Sequence, residues 1–201
     1  ENSVTAPGLE GLLVHEIAHQ WFGNSASEKD WSHLWLSEGF VTYMTNVYHE
    51  EKYGLDSMNN RLKNDRNKIV AFAEQRFTPL SDSTAANDLM QLLNANSYEK
   101  GSWVLHMLRR KIGDSFFWKG IRNYYSTYAG SNANSDDTKK VFEKVSHQNL
   151  DEFFKQWVYT AGQPGLDIKW NYNKKKKAIS ITIVQQQENL FTFPLELKID
   201  N

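Results

Sequence analysis

Apolar side chains recur every three to four positions through about the first 160 residues and then every second position to the C-terminus. The first regime predicts a run of helices. A helix from about Leu9 to Phe22 places Val14, Ile17, Ala18 and Trp21 at i, i+3, i+4 and i+7, and this stripe is its expected core face. Gly23-Asn24 suits its C-terminal turn. A second helix is expected from near Ser37 to Gly54, with Phe40, Met44, Val47 and Tyr48 inward. Leu55-Asp56-Ser57 offers an N-cap for a long polar helix to about Phe77, and Pro79 through Asp88 reads as loop. The next helix, about Tyr98 to Ile112, carries Val104, Leu105, Leu108 and Ile112 on one face and stops at Gly113. Asp114 can cap its successor, whose apolar face is Phe117, Ile121, Tyr124 and Tyr128. A polar loop over 132–136 leads to a helix bearing Val141, Phe142 and Val145, and Asp151 to Tyr159 closes the series with Phe153, Phe154 and Trp157.

Gly162-Gln163-Pro164-Gly165 marks the change of period. Ile168, Trp170 and Tyr172 alternate, as do Ile179, Ile181 and Ile183, and then Phe191, Phe193, Leu195, Leu197 and Ile199, which predicts three strands. Three strands alone leave edges open, so Phe191 and Phe193 are expected at an exposed edge that favours self-association. The lysine run 174–177 fits a solvated hairpin turn with edge-protecting charge. The expected fold class is mainly α with a short antiparallel β segment behind it, divided as residues 1–162 and 163–201.

Composition narrows this picture. A chain of 201 residues with seven Trp and 13% aromatic content can bury one good core. A net charge of −1 argues against nucleic acid or a membrane surface as the main partner. No apolar run is long enough to span a bilayer, and no signal-peptide pattern is present; neither absence assigns a compartment. The absence of Cys excludes disulfides and thiolate metal sites.

The chemistry concentrates in His15-Glu16-Ile17-Ala18-His19 and in Glu38. Residues i and i+4 share a helix face, so His15 and His19 can aim two imidazoles at one point. Imidazole and carboxylate both ligate zinc, and a catalytic zinc keeps three protein ligands with the fourth position open to water. Glu38, at the start of the second helix, is the candidate third ligand. Glu16 sits about 100° round the helix from His15. That offset suits a carboxylate that holds water as general base rather than one that binds the ion. The competing reading, ordinary polar residues on an amphipathic helix, does not account for an acid arriving where a second helix begins. His33, His49, His106 and His147 have no partner at ligand spacing; His33 reads as a solvent-facing or structural side chain. Tyr98, on spacing alone, is a helix-start tyrosine that packs.

The segment His15-Glu16-Ile17-Ala18-His19-Gln20-Trp21-Phe22-Gly23-Asn24, followed by Trp35-Leu36-Ser37-Glu38-Gly39-Phe40 and Tyr98-Glu99-Lys100-Gly101, resembles the aminopeptidase N family of zinc metallopeptidases, in the gluzincin group. The likeness runs over nearly all of the chain. It implies a thermolysin-like helical catalytic domain followed by the start of a β-sandwich. It also implies one zinc ion per chain on His15, His19 and Glu38, Glu16 as general base, Tyr98 as an oxyanion donor, and hydrolysis of the N-terminal bond of peptides with a free N-terminus. Glu99 and Lys100 are expected to be solvated charges beside Tyr98, and Trp21, Trp31 and Trp35 to pack in core and loop. The Gly-x-Met-Glu-Asn motif by which the family binds the substrate amine is absent; Glu1-Asn2 is not its remnant, and Asn2 to Thr5 matches the segment nearer the zinc helix. The chain is thus expected to begin downstream of that motif and, alone, to bind zinc but cleave poorly. Two alternatives stay open: an inactive scaffolding relative, and a bifunctional aminopeptidase and epoxide hydrolase.

Overall fold

The computed structural model describes residues 7–195 and residue 197. The segment Glu1 to Thr5 and the end of the third expected strand at Ile199 lie outside the described residues. The chain forms two compact units, one through Ala161 and one from Gly162 onward.

The first unit is built on a central helix. Helix α1 spans Pro7–Ala18, α2 Trp35–Tyr53, α3 Leu55–Gln75, α4 Leu89–Leu92, α5 Gly101–Ile112, α6 Asp114–Tyr128, α7 Ser135–Ser146 and α8 Asp151–Trp157. Helix α2 packs against α1, α3 and α5. It therefore buries nearly its whole circumference, including Trp35, Leu36, Phe40, Val41 and Tyr43. The stripe expected on α5 is the buried one: Val104, Leu105, Leu108 and Ile112. Phe117, Ile121 and Tyr124 of α6 and Phe142 and Val145 of α7 are likewise buried, and Tyr128 is half-buried. An Asn134–Asp137 capping box starts α7, each side chain accepting from the other's backbone N–H at 2.9 and 3.1 Å.

Several boundaries and faces differ from expectation. Helix α1 ends at Ala18, four residues early, because the chain turns there to form β1 (Ala26–Glu28), which pairs in parallel with β2 (Ser131–Ala133). The face of α1 that turns inward is the one bearing His15, Ala18 and His19; Ile17 and Trp21 of the expected core stripe are 58% and 48% exposed. Helix α3 begins at Leu55 with Gly54 as its cap, so Asp56 sits in the first turn and caps nothing. A 3₁₀ turn at Ser83–Ala85 interrupts the region read as loop, and the short α4 follows directly after that region. Before α5 the backbone forms a π-turn over Asn96–Lys100, closed by Lys100 N–H donating to Ala95 O at 2.9 Å.

The second unit is a hairpin of β3 (Leu166–Asn173) and β4 (Ala178–Gln185). The expected alternation is realised as directly facing pairs: Ile168 with Ile183, Trp170 with Ile181, Tyr172 with Ile179. The lysine run makes the turn, with Asn173 Oδ1 accepting from Lys176 N–H at 3.0 Å. The third expected strand does not form over 191–195. Instead the Gln185 side-chain amide takes both backbone groups of Phe191, accepting from its N–H at 2.9 Å and donating to its carbonyl at 2.7 Å. Pro194 has no N–H to give a ladder. Phe191 is consequently buried rather than on an exposed edge.

Candidate metal centre

Three side chains converge on one point. The i, i+4 spacing on α1 brings the His15 and His19 rings to a centroid distance of 4.9 Å at 82°. Glu38, in the first turn of α2, places Oε2 3.3 Å from His15 Nε2 and 3.4 Å from His19 Nε2. The three ligand atoms all lie within 4.8 Å of one another. Donors held at about 2.0–2.1 Å around a tetrahedral ion stand about 3.3–3.4 Å apart, so these two separations fit a shared ion. Among the described residues, Glu38 Oε2 is buried with no hydrogen bond of normal geometry, and only the two imidazoles face its charge. Burial works to raise the Glu38 carboxyl, but the two imidazoles beside it hold it down at about 2, so it is an anion. The donor set, two imidazole nitrogens and a carboxylate oxygen, suits zinc.

The sequence around each donor explains its aim. His19 Nδ1 lies 3.0 Å from Phe22 O, which assigns the proton to Nδ1 and leaves the Nε2 lone pair facing Glu38. Gly23 has a φ of +113° and a side chain there would stand 3.0 Å from His19 Nδ1, so glycine both makes the turn and leaves room for the imidazole. Glu38 is carried by a helix crossing of unusual closeness. A β-carbon on Gly39 would lie 2.8 Å from Gly101 Cα, and one on Gly101 would lie 2.9 Å from Gly39 Cα. Only glycine at both positions lets α2 and the start of α5 touch backbone to backbone. This crossing fixes Glu38 on one side and Tyr98, three residues before Gly101, on the other. The Ser37 hydroxyl next to Glu38 is bound by Glu28 of β1, whose carboxyl burial pushes up.

Tyr98 stacks over His15, ring centroids 6.0 Å apart and 12° from parallel. Burial, with the Glu38 and Glu16 carboxylates nearby, pushes its phenol well above its ordinary pKa, so the hydroxyl keeps its proton as a donor. His15, Glu16 and Tyr98 line one cleft of about 460 Å³, within the size range of small-ligand sites. The cleft extends to Thr42, Thr45 and Arg61, which sequence reasoning missed. Thr42 and Thr45 follow Glu38 by one and two helical turns, a spacing that could have flagged them; nothing local marks Arg61 on α3.

The remaining candidates fall away from this point. His33 is structural: its Nδ1 lies 2.9 Å from Ser135 Oγ, which also accepts from Trp35 Nε1 at 2.8 Å. Lys100 is buried, not solvated, and burial lowers its amine to about 8. Glu99 is held by Lys68 at 2.6 Å. Of the three tryptophans, Trp35 is fully buried whereas Trp21 and Trp31 are about half exposed.

A helical unit with two histidines one turn apart and an acid from the following helix defines the gluzincin class of metal centre. The chain belongs to peptidase family M1: the model of the peptidase family M1 domain matches residues 5–157. It is 33% identical over 169 residues to probable aminopeptidase 2 of Sulfurisphaera tokodaii, covering 83% of this chain and 22% of that protein. It is 29% identical over 185 residues to aminopeptidase N of Escherichia coli, covering 89% of this chain and 20% of that protein. Among solved structures it is similar to a mutant M1 zinc metallopeptidase of Deinococcus radiodurans bound to a Tyr-Ser-Ala substrate, with a TM-score of 0.65 and 26% identity over 78% of this chain and 34% of that one. The chain thus spans about a fifth of the length of these curated relatives. The mainly helical fold and the family expected from the motifs both stand.

Proposed function

We propose that this chain carries the catalytic centre of a zinc aminopeptidase that hydrolyses the N-terminal peptide bond of peptides with a free N-terminus, with one zinc ion per chain on His15, His19 and Glu38. The observation that carries the reading is the buried Glu38 Oε2, without a hydrogen bond and 3.3 and 3.4 Å from two imidazole nitrogens. When bound, zinc supplies Lewis acidity to a water and to the scissile carbonyl. The chain's own side chains do the rest. His19 keeps its Nε2 lone pair available through the Phe22 contact. Glu16, in the cleft beside His15, takes a proton from the attacking water and returns it to the departing amine. Tyr98 donates its hydroxyl to the carbonyl oxygen as negative charge builds there. The Tyr-Ser-Ala bound by the Deinococcus relative supports a peptide substrate. In the same reading residues 1–162 form the helical part of the catalytic domain and 163–201 an incomplete β-sandwich.

An inactive scaffold would be expected to have lost a ligand or the base, and His15, Glu16, His19 and Glu38 are all present. The test is turnover of aminoacyl amides by the protein carrying this sequence. Glu16→Gln keeps size and hydrogen bonding but cannot accept the proton, so turnover is expected to fall at least about 10²-fold. Tyr98→Phe is expected to cost about 10²–10³-fold with substrate binding little changed. Near-wild-type turnover in Glu16→Gln would remove the assigned base.

A further inference from the structure

The far end of the cleft holds a cation whose ligand capacity is not spent. Arg61 reaches from α3 to line the cavity with His15, Glu16 and Tyr98. Its Nε donates to Asn46 Oδ1 at 2.7 Å. Asn46 is itself fixed, its Nδ2 donating to Asp65 Oδ2 at 2.9 Å and to Ser102 Oγ at 3.1 Å. The network orients the guanidinium through one nitrogen. Among the described residues, Nη1 and Nη2 make no hydrogen bond or ion pair. A second polar group of the same cleft is also unspent: among the described residues, the buried Thr42 Oγ1 has no hydrogen-bond partner. The buried Thr42 hydroxyl left in this state costs stability unless a partner meets it, whereas the half-buried Arg61 keeps its Nη groups open to the cleft. Burial pulls the Arg61 guanidinium down against the charge of Asp65 nearby, and it pushes the Asp65 carboxyl up.

Position gives this pair its meaning. A β-carbon on Gly11 would stand 3.7 Å from Arg61 Nη1 and 4.0 Å from Nη2, so the guanidinium lies against α1 at Gly11. Gly11 precedes His15 by four residues, just over one helical turn or about 6 Å along the axis. A peptide advances about 3.3–3.6 Å per residue, so Arg61 is one to two residues' reach from a bond held at His15. The free amine of an aminopeptidase substrate is cationic and would be repelled here. The substrate must therefore lie with its leaving portion toward Arg61.

We propose that Arg61, with Thr42, is a carboxylate-recognising subsite that selects substrates whose leaving portion carries a carboxylate one to two residues beyond the scissile bond. This deepens the aminopeptidase reading and rests on it. The carboxylate has two sources: an acidic second side chain, or the C-terminus of a dipeptide. Guanidinium binds either one bidentately.

Two matched pairs separate them. Ala-Glu-Ala-amide against Ala-Gln-Ala-amide varies the side chain, and Ala-Ala against Ala-Ala-amide varies the terminus. Binding is measured by calorimetry on the metal-depleted protein, where no turnover intrudes, and kcat/KM on the zinc-loaded protein. At least one pair is expected to favour the carboxylate about tenfold or more in both readouts, the scale of one charge-assisted contact. Arg61→Met is expected to bring that ratio to about one, and Arg61→Lys, which keeps the charge without the fork, to an intermediate value. Equal binding and turnover within both wild-type pairs would overturn the proposal. So would a preference that persists undiminished in Arg61→Met. Should Arg61→Met fail to fold, the wild-type pairs and Arg61→Lys decide by the same criteria. Cleavage of none of the four peptides by the zinc-loaded full-length protein carrying this sequence would bring down the aminopeptidase reading, and the subsite with it.

Discussion

Helices α1 and α5 both pack on α2, and each turns histidine toward the interior, yet the two interiors are electrically opposite. On α5, His106 lies between the rings of Tyr43 and Trp103, centroids 6.1 and 5.7 Å away, and its Nδ1 is buried without a hydrogen bond. Burial, helped by the Arg109 and Arg110 charges, drives its pKa down to about 4, so it is a neutral, half-buried side chain packed on aromatic rings. On α1, His19 has its pKa raised, chiefly through Glu38 beside it and against the pull of burial. The surrounding stripes differ in the same sense. Val104, Leu105 and Leu108 of α5 are 0–1% exposed, whereas Leu12, Leu13 and Ile17 of α1 are 50–58% exposed. Hydrophobic burial sets the orientation of α5. The orientation of α1 instead brings its imidazoles to Glu38, at the cost of leaving its apolar face in water. A helix can thus be recruited to a core for its chemistry rather than its stripe.

The contrast predicts unequal penalties. Leu105→Ala is expected to destabilise the protein by about 2–5 kcal/mol, because a fully buried leucine leaves a cavity that its neighbours cannot fill. Chemical denaturation measures this directly, and a cost below about 1 kcal/mol would mean that α5 is not the hydrophobic anchor.

The His106 side chain gives a pH signature of intermediate size. Its folded pKa, about 4, lies below its ordinary value of 6.5, so the unfolded chain takes up a proton first as pH falls. The stability it contributes is complete above about pH 6.5 and drains away as pH drops toward about 4. Between about pH 7 and pH 5 this amounts to about 2 kcal/mol. His106→Phe should flatten that window relative to wild type in denaturation midpoints taken at the two pH values. An unchanged slope would place the acid sensitivity elsewhere.

The smallest effect belongs to the exposed face of α1. In the 201-residue chain, Ile17→Ser removes an apolar side chain that is 58% exposed from a helix, where the two residues have similar propensity. The expected change is within about 0.5 kcal/mol. A loss of about 2 kcal/mol or more would show that this face is buried and that the contrast with α5 is false.

How far these regions could be read from the sequence follows the same division. The α5 stripe and the facing pairs of the hairpin are legible because burial alone selects them, at periods of 3.6 and 2. The juxtaposition of His15, His19 and Glu38 is legible because helical spacing and a short connection constrain it. The inward face of α1 is not, since Val14, Ile17, Ala18 and Trp21 form an equally good stripe and only the partner helix decides between faces. The pairing of β1 with β2 joins Ala26 to Ser131 across most of the helical unit, through strands of three residues too short to show a period. The absent strand over 191–195 hinges on Gln185, whose amide replaces a ladder by side-chain hydrogen bonds that alternation cannot reveal. Arg61 reaches the cleft through a tertiary contact with Asn46, and an arginine on a polar helix carries no local mark of that.

Elemental analysis of zinc per chain in the wild type, His19→Ala and Glu16→Gln tests the centre most directly, because it separates ligands from base without requiring turnover. The account predicts one zinc per chain in the wild type and in Glu16→Gln, and loss of stoichiometric zinc in His19→Ala. A His19→Ala protein that still holds one tightly bound zinc would contradict it and place the metal elsewhere.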